Sequence, residues 1–130
     1  MNKTYELKAL KSNRLISSLI KLEKEGANIK LLFESENMKL VFIDEYPFFA
    51  LVKLRNVLDE LGILLLCNGA RRDVYPSGSS AIGNMAYVMQ NGHPAIELVN
   101  IFEPINDFKK IASVSEQKVY RDNWIKSLSV

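Results

Sequence analysis

Cysteine and histidine each occur once, as Cys67 and His93, in a chain of 130 residues. One thiol rules out an internal disulfide, and one thiol with one imidazole rules out a cysteine- or histidine-rich zinc site. No run of acidic residues has calcium-loop spacing, so no metal and no cofactor are expected. Charge of one sign is also missing, because 17 Lys and Arg are dispersed among 15 Asp and Glu for a net +2. That balance argues against a nucleic-acid footprint. The densest basic clusters, Lys3/Lys8/Lys11/Arg14, Arg71/Arg72 and Lys109/Lys110, lack the interleaved aromatics of a single-strand binder. No apolar run approaches the roughly 18 residues that a membrane helix needs. The polar N-terminus has no signal-peptide core, and the cytoplasm is the expected location.

What is present is ordinary for a globular chain: 48% apolar and 25% charged residues. A single domain over residues 1–130 is expected, large enough to bury roughly two-thirds of its unfolded surface.

Hydrophobic spacing gives the element order. Lys11 to Glu25 carries Leu15, Ile16, Leu19, Ile20 and Leu22, the stripe of an amphipathic helix, with Ser12 or Asn13 to cap it and Gly26 to end it. Ile29 to Phe33 and Leu40 to Ile43 read as a hairpin around Glu34-Ser-Glu-Asn-Met38. Pro47 opens a helix with Leu51, Leu54, Leu58 and Leu61 on one face, and Gly62 closes it. The run Ile63-Leu-Leu-Leu66 reads as a buried strand. Asn91-Gly92 then separates two strands, Ala86 to Gln90 and Ala95 to Phe102, and suits a type I′ turn. Pro94 places the start of the second strand at an edge or outside the ladder. Residues Pro104 to Ile111 read as an irregular connection. A last helix, Glu116 to Leu128, is capped by Ser115, or by Ser113 with Glu116 as a capping box. The predicted order is α-ββ-α-β-ββ-α: an antiparallel or mixed sheet covered by helices, hence α+β.

Between the strand ending near Cys67 and the one starting near Met85 lies a connection of about 15 residues, long against a median of about 4–6. It holds Arg71, Arg72, Asp73, Tyr75, Pro76 and three serines. Three readings are open. Asp73 pairs an arginine and pins the loop; an arginine and Tyr75 project as anchors for another molecule, since Arg and Tyr dominate binding hot spots; or Ser77-Gly-Ser-Ser80 cradles a phosphate. The segment lacks the Gly-Lys-Ser/Thr that a phosphate loop requires. Arg71, Arg72, Asp73 and Tyr75 are therefore the candidate partner-binding residues.

No catalytic set is found. His93 follows a turn dipeptide and reads as an exposed hairpin tip, while Cys67 reads as an inert core thiol with no base to activate it. Tyr120 and Trp124 read as core residues of the last helix, leaving Lys118, Arg121 and Asp122 to solvent. Glu34, Glu36, Asp44 and Glu45 read as a solvated acidic rim, or as a negative patch for a basic partner.

The string Leu65-Leu-Cys-Asn-Gly-Ala-Arg-Arg-Asp-Val-Tyr-Pro-Ser-Gly78 is similar to a group of small bacterial immunity proteins. So are the later strand with Tyr87, Leu98-Val-Asn-Ile-Phe102 and the ending Ser115-Glu-Gln-Lys-Val-Tyr-Arg-Asp-Asn-Trp-Ile-Lys126. These proteins guard against polymorphic toxins, including those of contact-dependent growth inhibition. The similarity runs from about Val57 to the C-terminus, and Ser79-Ser-Ala-Ile82 stands where the group has more glycine. The resemblance implies a non-enzymatic protein that binds a cognate toxin domain, often a nuclease, and occludes its active site, touching neither nucleic acid nor membrane. The alternative expectation is a small enzyme or binding protein that holds a phosphate or carboxylate ligand in the Arg71–Ser80 loop.

Overall fold

The computed structural model describes residues 2–77 and 83–129. The chain begins with a meander of four antiparallel strands, β1 (Lys3–Lys11), β2 (Arg14–Glu25), β3 (Asn28–Ser35) and β4 (Met38–Asp44). Helix α1 (Pro47–Glu60) follows, and β5 (Ile63–Leu65) returns to pair antiparallel with β1, giving the sheet order β4-β3-β2-β1-β5. Two short strands, β6 (Val74–Tyr75) and β8 (Leu98–Asn100), flank β7 (Met85–Val88) in a second antiparallel sheet. Helix α2 (Val114–Ser127) ends the fold. The α+β class is as expected from the sequence.

The helix expected over Lys11 to Glu25 is a strand instead, and Lys3–Lys11, where no element is expected from the spacing, is its partner. The order is therefore ββββ-α-β-β-ββ-α. Ile16, Ser18, Ile20 and Leu22 alternate onto the buried side, while Leu15, Leu19 and Lys21 face the other way. The outward leucines at 15 and 19 are what imitated a helical stripe, and Ser18 at a core position hid the period of two. Ser18 is tolerated there because its Oγ donates a 3.0 Å hydrogen bond to the Leu7 carbonyl. Ser12 and Asn13 do not cap a helix. Both adopt left-handed φ, 48° and 63°, and form a two-residue turn between Lys11 and Arg14, the type I′ geometry that matches strand twist.

Helix α1 forms as its sequence dictates. Pro47 occupies its first turn, and Gly62, at φ 72°, accepts the left-handed conformation that ends it. Its fully buried Phe48, Leu51, Leu54 and Leu58 pack with Leu31, Phe33, Ile63 and Leu65 of the large sheet, in a cluster that continues into Val74, Ala86, Ile101 and Phe102.

The Asn91-Gly92 turn joins Gln90 to His93, but only Gly92 has positive φ (79°), so it is not type I′. Pro94 lies outside the ladder. Residues 104–111 are irregular apart from one 3₁₀ turn, Phe108–Lys110. At α2 the cap is Ser113, not Ser115. Its hydroxyl accepts from the Glu116 N–H (3.1 Å) while the Glu116 carboxylate accepts from the Ser113 N–H (2.9 Å), a reciprocal capping box.

Candidate functional site

The connection after β5 is not a surface loop along its whole length. Its first half is wedged into the core: Asn68 N–H donates to Glu103 O (3.0 Å), Gly69 N–H to Ile101 O (2.8 Å), and Arg72 N–H to Lys110 O (2.8 Å). Cys67, Ala70 and Val74 are at most 1% exposed. The chain approaches so closely at Gly69 that a Cβ there would sit 2.5 Å from Leu51 Cδ2 and 3.0 Å from Ile101 O. Glycine is needed here for proximity, not for its φ.

Two residues that the sequence reading did not single out hold this wedge. Arg55 of α1 is buried, and its guanidinium donates to Gly69 O (3.1 Å), Ala112 O (2.8 Å) and Gln117 Oε1 (2.7 Å). Gln117 of α2 turns its Nε2 to the carbonyls of Gly69, Arg71 and Val74 at 2.8–2.9 Å. Burial pulls the Arg55 pKa down, against the opposing influence of Cys67 and Asp59. A signal for Arg55 existed: it stands four residues after Leu51 and three before Leu58, on the apolar face of its own helix.

The four candidate residues divide into two roles. Arg71 and Asp73 face each other in a bidentate pair, Nε to Oδ1 and Nη2 to Oδ2, both at 2.9 Å, and Arg71 Nη1 adds a 3.3 Å bond to Asn68 Oδ1. The Arg71 side chain is only 12% exposed, so this pair pins the loop. Arg72 is exposed, with its guanidinium carbon 6.0 Å from the Tyr120 ring centre. Tyr75 is half-buried, packed 5.1 Å from Phe48 and with the Arg121 guanidinium 5.0 Å from its ring centre. The serine cradle extends into residues 78–82, outside the described residues.

Beside Tyr75 lies a groove of about 330 Å³ between the second sheet and α2. Tyr75, Tyr87, Met89, Arg121 and Trp124 line it, with Pro76 and Pro94 at its rim. Tyr75 and Tyr87 are directly paired across β6 and β7, and Leu98, 45% exposed, continues the row on β8. Trp124 and Tyr120 are half-buried surface residues and not core, since Gln117 is the one buried residue of α2. The indole is fixed by donating to His93 O (2.8 Å), and Ser127 Oγ accepts from Gly92 N–H (2.8 Å), so α2 is clipped to the hairpin turn. His93 itself is exposed at that tip, as expected.

Two of the four acidic rim residues are met by the protein's own cations. Glu36 pairs with Lys11 and Arg14 (both 3.4 Å), and Asp44 pairs with Lys53 (3.1 Å). Among the described residues no group of three His, Cys, Asp or Glu side chains is placed to hold a metal. Cys67 is wholly buried and its thiol is pushed up to about 11, chiefly by desolvation, which makes it a poor nucleophile. Among the described residues no helix is long and apolar enough to cross a membrane. The chain matches no protein-family model and no curated protein.

Proposed function

We propose that this chain is a non-catalytic binding protein that neutralises a cognate toxin domain by covering its active site, as the resemblance of residues 65–78 to immunity proteins implies. The observation that carries the reading is the groove in which Tyr75, Tyr87, Trp124 and Arg121 converge, with exposed Leu98 opposite Tyr87. Large rings held in fixed orientation lose little entropy on binding, and arginine adds directional donors; such residues dominate protein interfaces. Arg71 and Asp73 serve as the brace of this surface, because their charges satisfy each other.

The partner would present an apolar or aromatic anchor to the groove, flanked by acidic groups that meet Arg72 and Arg121. The alternative, a phosphate or carboxylate ligand in the Arg71–Ser80 loop, has less support: the guanidinium best placed for a bidentate anion already holds Asp73.

The test is titration calorimetry against the toxin domain encoded by the adjacent gene, with growth protection as the cellular readout. Alanine at Tyr75 or Trp124 is expected to weaken binding by about 2 kcal/mol each, roughly thirtyfold. Unchanged affinity in the Tyr75→Ala/Arg121→Ala/Trp124→Ala triple variant would overturn the assignment of this surface.

A further inference from the structure

Among the described residues, the large sheet ends in β4 without a neighbouring strand on one side. Its other edge is treated differently: beyond β5, Ile105 N–H donates to Leu66 O (3.1 Å), and Cys67 bridges to Pro104. The register of the β3–β4 hairpin fixes which backbone groups of β4 look outward. Ser35 and Met38 flank a two-residue turn and form the closing hydrogen-bonded pair. Alternation then directs Met38, Leu40, Phe42 and Asp44 toward β3, and the N–H and C=O of Lys39, Val41 and Ile43 away from the sheet. The Ile43 carbonyl confirms this direction by accepting a 2.8 Å bond from Lys53 Nζ, which covers that end of the strand.

We infer that β4 pairs antiparallel with β4 of a second copy of this chain, about a two-fold axis at Val41. The sequence of the edge is self-complementary in that arrangement. Val41 meets Val41 of the second copy, exchanging both backbone hydrogen bonds, and Lys39 meets Ile43. On the opposite face Leu40 meets Phe42, extending the half-buried inner rows across the junction. Val41 and Ile43, 52% and 42% exposed, would form one covered β-branched strip across the junction. Glu45, exposed just beyond the strand end, lies diagonally across from Lys39 of the second copy, so opposite charges meet at both ends of the contact. Lys53 holds the Ile43 carbonyl in the monomer, so Lys39 N–H of the second copy displaces that ammonium, which keeps its partner Asp44. The union is isologous, each chain offering the same edge to the other, so it closes at two chains and leaves no second β4 edge to propagate.

This inference is independent of the groove, which lies on the second sheet and α2. Sedimentation velocity of the full chain over a concentration series is expected to show a reversible monomer–dimer equilibrium. Val41→Pro removes an N–H that the monomer does not use, and is expected to abolish the dimer. Lys39→Glu sets like charges against Glu45 and is expected to raise the dimer dissociation constant about tenfold, with Glu45→Lys in the same chain restoring it. Circular dichroism confirms folding of each variant, and the charge pair decides the matter if the proline variant fails to fold. A wild-type chain that stays monomeric throughout the series, a dimer indifferent to Lys39→Glu, or open-ended association overturns the inference.

Discussion

Gln117 Oε1 accepts a 2.7 Å hydrogen bond from Arg55 although the two residues are 62 positions apart, and they are only 1% and 3% exposed. The pair joins α1 to α2 through the loop that carries Arg72 and Tyr75. Replacing Gln117 by leucine leaves a buried guanidinium short of one acceptor and three carbonyls short of a donor. The expected loss is about 3–5 kcal/mol, read as a shifted urea midpoint. Because the two residues bond each other and share the Gly69 carbonyl, Arg55→Leu and Gln117→Leu together are expected to cost less than the sum of the two.

Gly69→Ala tests the close approach of the wedge. The added methyl meets the Leu51 side chain at 2.5 Å and the Ile101 backbone at 3.0 Å, and the backbone cannot yield as a side chain can. A destabilisation of about 1–3 kcal/mol is expected, with Tm as the measurement.

Cys67 gives a pH dependence with a definite sign. Below pH 9.0 the thiol is protonated in the folded and the unfolded chain alike; between 9.0 and about 11 the unfolded chain ionises while the buried thiol does not. The folded state binds the extra proton in that window, so this site's contribution to stability falls as pH rises through it. Cys67→Ala is expected to flatten that part of the slope in urea titrations. The native thiol is expected to react with aromatic disulfide reagents only on unfolding.

The capping box of α2 gives the opposite sign. Bonds from the Ser113 backbone and side chain, aided by Arg72, hold the Glu116 carboxyl below its ordinary range. Its stabilising effect is present above the unfolded carboxyl pKa and is lost as pH falls through the lowered folded value. Ser113→Ala is expected to cost about 1 kcal/mol near neutral pH. The cost shrinks in acid, where the wild-type box has already lost its carboxylate; helical ellipticity across pH is the check.

Elements whose signals are local were legible in the sequence. Pro47 and Gly62 bracket α1, Glu34 to Met38 separates two strands, and Ser113 with Glu116 is one of the two capping registers the sequence offers for α2. The meander was half missed, because Leu15 and Leu19 face out of β2 while Ser18 faces in, a pattern that only cross-strand neighbours explain. Of the candidate site, the Arg71, Arg72, Asp73 and Tyr75 segment was legible, but its division into a brace (Arg71 and Asp73), an exposed Arg72 and a half-buried Tyr75 was not. That division depends on Arg55, Gln117, Arg121 and Trp124, which topology brings to the segment from 16 to 53 residues away in sequence. Spacing along a chain carries no trace of such convergence.

The position of β1 has a consequence for synthesis. It lies between β2 and β5, and its second partner is contributed by Ile63–Leu65, more than fifty residues after Ala9. The four-strand meander joins through two-residue turns, so it can zip up as soon as it leaves the ribosome. Until Leu65 emerges, however, the inner margin of β1 stands open, and the nascent chain carries two bare strand margins at once. Translation speed through α1 therefore sets how long this half-built sheet is exposed to neighbouring polysomes.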